Sequence, residues 1–596
     1  MSTNYTKTDA DNEGYCVVSL GEVERDWVKV TLINRLLRTN WTVYRNTTPL
    51  NNYPAGSFFI PLGGLPISKD QTSAYLEEQA LEIGIPLAFH KEALPTEGLT
   101  KLQRPRLAVL YATAEKWALM TMNVLETMGF EVHALSAEDI HQGALDHANI
   151  LFIPGGSHSD KANDVGTEGE AKVKEFVEKG GGLLAFCGGA ALTAQVKDGW
   201  GLLAVEREPR KVPKAMHGPI WIKPETSDHP LWYGYPSRGF PLAPWYGKAL
   251  HPLNEEVRVL GRYDRPTDDF YVAHELTGSY FSEYLPEEIE TLDKVYDGYA
   301  NPANLKGMVA IAEGEYGAGR IIIGYPHPET PGLEGGFLLL ANAIYHVTQN
   351  PPADDSHWLS SSVTESSYNE AKVLSLLAAV KDVHSSQVLP ISKDIVKFGI
   401  NNLYWTPRPH IDWSYIAIGG RPFYICERME AYCDEILRQL DELPLLINEI
   451  NAKRERLLTF GEQPQVKESL KQANELLDNA YRSGGSALSE ILEYYHSRIE
   501  TSLADWALKF KKILLYHQLL AIMKAKDADS NMVDDISKKN RELSGECIGS
   551  WRWALASEKY QSIFFALDTT SYYLSNLKFG LEDISLKLDY LLLITR

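Results

Sequence analysis

Gly182-Leu183-Leu184-Ala185-Phe186-Cys187-Gly188-Gly189-Ala190 is a short apolar run that passes directly into a cysteine and then into small residues. Only small flanking residues let a strand turn that sharply into a helix, and such an elbow lifts the side chain at its apex clear of the sheet. Cys187 is therefore a candidate nucleophile, and a place ahead of a helix N-terminus favours negative charge on sulfur. The plain alternative is a small buried residue at a sheet end. A second apolar run, Arg320 to Gly324, leads into His327-Pro328-Glu329, with His327 lying 140 residues beyond Cys187. Residues two apart in extended chain project to one side, and Pro328 biases His327 toward extended geometry, so imidazole and carboxylate can meet. Glu329 would accept from one ring nitrogen and hold the other toward the thiol. Candidate oxyanion donors are the N–H of Gly188 and those of Gly155 and Gly156, in Pro154-Gly155-Gly156 after the apolar run Ile150 to Ile153.

With these three motifs in order, residues 104–350 resemble the class I glutamine amidotransferase-like superfamily. Its members carry a Cys elbow and a His-x-Glu pair on a flavodoxin-like sheet. The resemblance is nearest to the amidotransferase-like N-terminal domain of biotin-protein ligases, through the Pro-Gly-Gly loop and the ending Gly324-Tyr325-Pro326-His327-Pro328-Glu329. It covers about two fifths of the chain, and no ligase domain is recognisable in the remainder. It implies a triad of Cys187, His327 and Glu329 acting on a small-molecule amide, ester or thioester carbonyl. One position departs from the pattern: glutaminases of this superfamily usually have Gln four residues after the nucleophile, where this chain has Ala191. The triad is thus expected either to serve another carbonyl substrate or to be a relic in an inactive scaffold.

The fold class expected is α/β plus all-α. A small α/β unit over 14–103 precedes the flavodoxin-like cysteine domain of 104–350, and a bundle of long helices follows over 366–596. In the first unit, helices over Val23 to Leu37 and Gln71 to Ile83 alternate with strands at Trp41 to Arg45, Ser57 to Leu62 and Pro86 to Phe89. The cysteine domain opens with strand Leu107 to Tyr111, helix Glu115 to Met128 and strand Glu131 to Ser136. Such alternation predicts a parallel sheet whose site lies at the C-terminal strand ends. Between Trp200 and Asp297 the chain is rich in Pro, Gly, Trp and Tyr and reads as a long irregular segment, its aromatics lining a cleft or packing a loop core. A hairpin of Gly307 to Ala312 and Arg320 to Gly324 is expected to deliver His327 to the sheet edge, and a helix over Glu334 to His346 to close the domain. Helices at Glu427 to Ile450 (kinked at Pro444), Val466 to Arg482, Ala487 to Ala525 and Gly549 to Leu593 form the bundle, which is expected to contact a second copy or a protein partner.

The net charge of −21 opposes a broad phosphate-binding surface, and residues 351–596 hold 28 basic against 34 acidic side chains, so no nucleic-acid partner is expected. No run approaches 18 apolar residues and the first residues lack a leader pattern, so neither membrane nor secretion is expected. Five scattered cysteines, Cys16, Cys187, Cys426, Cys433 and Cys547, fit a reducing cytoplasm. No metal and no cofactor is expected: Glu493-Tyr494-Tyr495-His496 is a single Glu-x-x-His, where di-iron bundles need two.

Overall fold

The computed structural model describes residues 14–595 except 22, 24, 66, 112–115, 213–215, 245–247, 269, 273–284, 296–300, 331–332, 354–367, 391–420, 461–463, 496–511, 513–528, 537, 540–541 and 543–562. His496, His517 and the aromatics of 551–562, singled out by the sequence, lie outside these residues, as do Trp245 and Tyr246.

The first unit comprises Tyr15–Val18 (β1), Asp26–Arg38 (α1), Tyr44–Asn46 (β2), Phe58–Pro61 (β3), Lys69–Ile83 (α2), Ala88–His90 (β4) and Leu99–Lys101 (β5). Its antiparallel sheet has the order β4-β1-β3-β2-β5. Helix α2 starts on a reciprocal Ser68–Gln71 capping box. One link between this unit and the rest is a buried guanidinium: Arg45 donates to Gly56 O at 2.9 Å and to Asn342 Oδ1. It also lies over the rings of Phe58, Tyr233 and Tyr345 at 5.1–5.6 Å. Burial there pulls Arg45 down to about 10.

The central region continues through Arg106–Leu110 (β6), Lys116–Thr127 (α3), Glu131–Leu135 (β7), Ala137–His141 (α4), Ile150–Ile153 (β8), His158–Glu178 (α5), Gly182–Phe186 (β9) and Gly188–Thr193 (α6). Next come Val205–Arg207 (β10), Met216–His217 (β11), Ile220–Pro224 (β12), Phe240–Pro244 (β13), Leu250–Pro252 (β14), Arg258–Pro266 (β15), Tyr271–Val272 (β16) and Pro286–Val295 (α7). Val309–Tyr316 (β17), Gly319–Gly324 (β18), Pro326–His327 (β19) and Gly335–Val347 (α8) complete it. Five strands pair in parallel in the order β7-β6-β8-β9-β18. Strands β6 to β9 are buried throughout, which explains their unbroken apolar runs: helices cover both faces of such a sheet.

One expectation is corrected here. The stretch from Trp200 onward is not one long irregular segment: β12, β13 and β15 continue the sheet antiparallel beyond β17, giving twelve strands in all. Two of its aromatics pack rather than wall a cleft: Trp232 is buried with its ring N–H on Leu260 O, and Trp221 is covered by Arg238 and Arg265. The hairpin of β17 and β18 forms as expected, with β18 interior between β17 and β9, and His327 follows it on β19, the strand that ends the sheet order and pairs with β13 at Ala243.

The helical region contains Glu370–Val383 (α9), Arg421–Leu458 (α10), Pro464–Tyr494 (α11) and Ile563–Thr595 (α12). Pro444 lies inside α10, which runs past both expected ends. Helix α12 packs on α10 and α11 and also on β7, the last strand of the sheet. There the Asn576 side chain acts as a substitute strand, accepting from Ala134 N at 3.1 Å and donating to Ala134 O at 3.4 Å. Lys578 pairs with Glu126 and with Glu442 at 2.6 Å, while buried Asp583 faces Arg104 at 3.6 Å, Arg38 at 3.9 Å and Lys587 at 2.7 Å. Part of the bundle surface is thus used within the chain itself. Among the described residues, no helix is long and apolar enough to cross a membrane.

Candidate active site

Strands β9 and β18 run parallel with Phe186 opposite Gly324, so Cys187 and Tyr325 leave adjacent strand ends together. The Cys187 N–H donates to Gly324 O at 2.7 Å, which pins the elbow to its neighbour. Beyond that bond the chain turns at once: Cys187 has φ +53° and ψ −113°, a conformation that L residues with a Cβ rarely hold. Strain of this kind persists only where the surroundings enforce it, and here the sheet bond on one side and the packed glycines on the other do so. Helix α6 is six residues long, so the helix dipole expected from the sequence is a short one.

The glycines are there for contact. A methyl group on Gly188 would lie 1.6 Å from Gly156 O, and one on Gly155 would lie 2.5 Å from His327 Cε1. The loop after β8 therefore touches the imidazole with Gly155 and the elbow with the next residue, Gly156. Lys161, fully buried on α5, donates to Gly155 O at 2.6 Å and fixes the orientation of that loop. Among the described residues, the N–H groups of Gly156 and Gly188 make no hydrogen bond to a turn or loop carbonyl. Gly188→Ala is expected to destabilise the protein by roughly 1–3 kcal/mol through overpacking. It should also slow labelling of Cys187, to be read by thermal unfolding and by site-resolved alkylation.

His327 and Glu329 are both buried, and the Nδ1–H of His327 donates to Glu329 Oε1 at 2.8 Å. The ring stacks on Trp117 with centroids 4.5 Å apart. Burial alone would lower His327, but the charges of Glu329 and Cys187, together with hydrogen bonding to both, lift it to about 10. Nε2 makes no hydrogen bond of good geometry, while Cys187 acts on the ring by charge and by hydrogen bonding. Cys187 is half-buried, whereas Cys16 and Cys433 are fully buried, and burial pushes Cys16 up to about 12. The side chains of Cys426 and Cys547 lie outside the described ones. The structure brings together all six residues singled out in the sequence: Cys187, His327, Glu329, Gly155, Gly156 and Gly188. Trp117, Lys161 and Tyr325 adjoin them with no sequence signal beyond position.

A second buried cluster was not legible in the sequence. Glu313 on β17 accepts from His229 Nε2 at 3.1 Å and from His346 Nε2 at 2.9 Å. Burial would raise this carboxyl, but the two imidazoles outweigh it and hold Glu313 well below the usual carboxylate range. The three side chains have metal-ligand spacing. Their hydrogen bonds argue for another role. His229 Nδ1 accepts from Leu231 N at 3.1 Å and His346 Nδ1 faces the Arg320 guanidinium at 3.5 Å, which leaves the protons on the Nε2 atoms that a metal would need. The cluster reads as a polar clamp joining β17, the end of α8 and the turn before Pro230.

No family model matches the chain, and no curated protein matches it in sequence. Among solved structures, a protein of Thermoplasma acidophilum provisionally assigned as one of the subunits of GMP synthase is 15% identical with a TM-score of 0.25, over 40% of this chain and 92% of that one. A cytoplasmic protein of Salmonella typhimurium LT2 is 13% identical at 0.26, over 41% and 99%. A beta-galactosidase from Bacillus circulans sp. alkalophilus is 13% identical at 0.25, over 49% and 36%. Likenesses this distant carry no argument about the present chain.

Proposed function

We propose that the chain is a cysteine-dependent acyl-transfer enzyme of the class I amidotransferase-like kind, acting on an amide, ester or thioester. One observation carries the reading: the elbow of Cys187, at φ +53°, and the buried His327–Glu329 pair meet across the same two glycines. The parallel order β7-β6-β8-β9-β18 supports a flavodoxin-like core, with the site at its C-terminal strand ends.

In the proposed reaction the Cys187 proton already rests on His327 Nε2, as an imidazole held at about 10 requires, and the thiolate adds to the carbonyl carbon as the C=O electron pair moves onto oxygen. The N–H groups of Gly156 and Gly188 receive that oxyanion. Collapse breaks the bond to the leaving nitrogen, oxygen or sulfur, which departs with the proton from His327. Water, giving a proton to the now neutral His327, then attacks the thioester, and the acid leaves as the Cys187 thiolate is restored beside the imidazolium. Glu329 holds the tautomer throughout.

Ala191 sits on α6, buried, where a glutamine-binding side chain would stand in the resembling family. Free glutamine is therefore expected to be a poor substrate, with ammonia release no faster than in Cys187→Ala. The reading is tested on a panel of p-nitrophenyl esters, thioesters and primary amides, with the acyl-enzyme detected by intact mass. Cys187-dependent turnover of any member supports it. Inertness of the whole panel favours the other reading, an inactive scaffold whose bundle contacts a second copy or a protein partner, to which Ala191 and the exposed Leu445 and Leu458 of α10 lend support.

A further inference from the structure

Resting on that reading, we infer that Arg207 forms an anion subsite beside Cys187, so that the acyl substrate carries a carboxylate or similar negative group a few bonds from its reacting carbonyl. Arg207 ends β10, where it pairs with Leu250 of β14, and its side chain is exposed. Its NH2 donates to His158 Nε2 at 3.2 Å. His158 opens α5 three residues after Gly155, the glycine in contact with His327, so the guanidinium is bound to the oxyanion loop's own continuation. On the other side it acts on the hydroxyl of Tyr325 by charge and by hydrogen bonding, and Cys187 acts on the same hydroxyl by charge. Tyr325 directly follows Gly324, whose carbonyl accepts from the Cys187 N–H, so it leaves its strand beside the elbow.

Among the described residues no carboxylate pairs with Arg207. The adjacent Glu208 is occupied by Arg210, at 2.8 Å through both oxygens. Asp198, the nearby acid that acts on His158, accepts from Ser159 at 3.2 Å. Burial and the Arg207 charge both lower His158, which keeps its Nε2 an acceptor and leaves the remaining guanidinium N–H groups for a ligand. On a chain of net charge −21, an accessible arginine beside the nucleophile selects for anions locally where the overall field repels them.

The experiment compares alkylation of Cys187 by iodoacetate and by iodoacetamide, each displacing iodide, with both rates normalised to a small free thiol. Wild type should prefer iodoacetate, and Arg207→Met should lower the iodoacetate rate by roughly fivefold or more while leaving iodoacetamide unchanged. Arg207→Lys should keep part of the preference. Equal rates for the two reagents in wild type, or an equal fall with both in Arg207→Met, would overturn the subsite while leaving Cys187 a nucleophile. A second readout is independent of the thiol: titration with succinate should shift the His158 imidazole resonances in wild type and not in Arg207→Met. A succinate response with an inert Cys187 would keep the subsite and reject the acyl-transfer reading. No response, or the same response in both proteins, would reject the subsite.

Discussion

His327→Gln is expected to slow acyl transfer through Cys187 by roughly 10²–10⁴-fold, the usual worth of a positioned acid–base group. Glutamine is chosen because its amide N–H can still donate to the buried Glu329 Oε1, which a smaller residue would leave unpaired at a larger cost in stability. The loss should fall on the chemical step rather than on substrate binding, since the ring faces the sulfur and Gly155 and the anchoring contacts lie elsewhere. Steady-state rates on whichever panel member turns over, with circular dichroism to verify folding, check it. A variant that folds and retains full activity would remove His327 from the mechanism.

Glu329→Gln should be nearly as damaging, and it reports on the electrostatics directly. Burial acts to lower His327, yet the Glu329 and Cys187 charges outweigh it and hold the imidazole at about 10. With the folded value raised above the ordinary 6.5, the pair's stabilisation is fully present below about pH 6.5 and is lost as pH rises through about 10. Removing the larger of the two charge effects should bring the His327 midpoint down toward neutrality, so that the alkaline loss of stability begins at lower pH. It also frees the ring to adopt the wrong tautomer, for a rate loss of roughly 10²–10⁴-fold. NMR titration of the imidazole in both proteins measures the shift, and an unchanged midpoint would show that Glu329 does not govern it.

The site was legible because its signals are local. An apolar run ending in Cys-Gly-Gly, and His-Pro-Glu after another, each state their geometry within ten residues, and strands β8 and β9 fall where the apolar runs place them. The antiparallel wing was hidden because β12, β13, β14 and β15 each end in proline, which reads as loop punctuation, and because the aromatics between them mimic an irregular segment. Helix α11 was broken in two at Gly484-Gly485, whereas the chain runs through. Methyl groups there would lie 2.7 Å from Leu577 and 2.4 Å from Tyr368, so the glycines permit close packing and do not end the helix. The Arg45 aromatic cage, the Asn576 seal on β7 and the Glu313 clamp join residues far apart in the chain, and no local pattern announces such contacts.

The reactivity of one sulfur decides whether the triad is active. Site-resolved alkylation of the native protein near neutral pH, with iodoacetamide limiting and peptides quantified by mass spectrometry, compares Cys187 with Cys16 and Cys433. Cys187 should label at least tenfold faster than either and lose most of that advantage in His327→Gln. Labelling of Cys187 no faster than the buried thiols, or a fast rate that His327→Gln leaves untouched, would contradict activation by the triad.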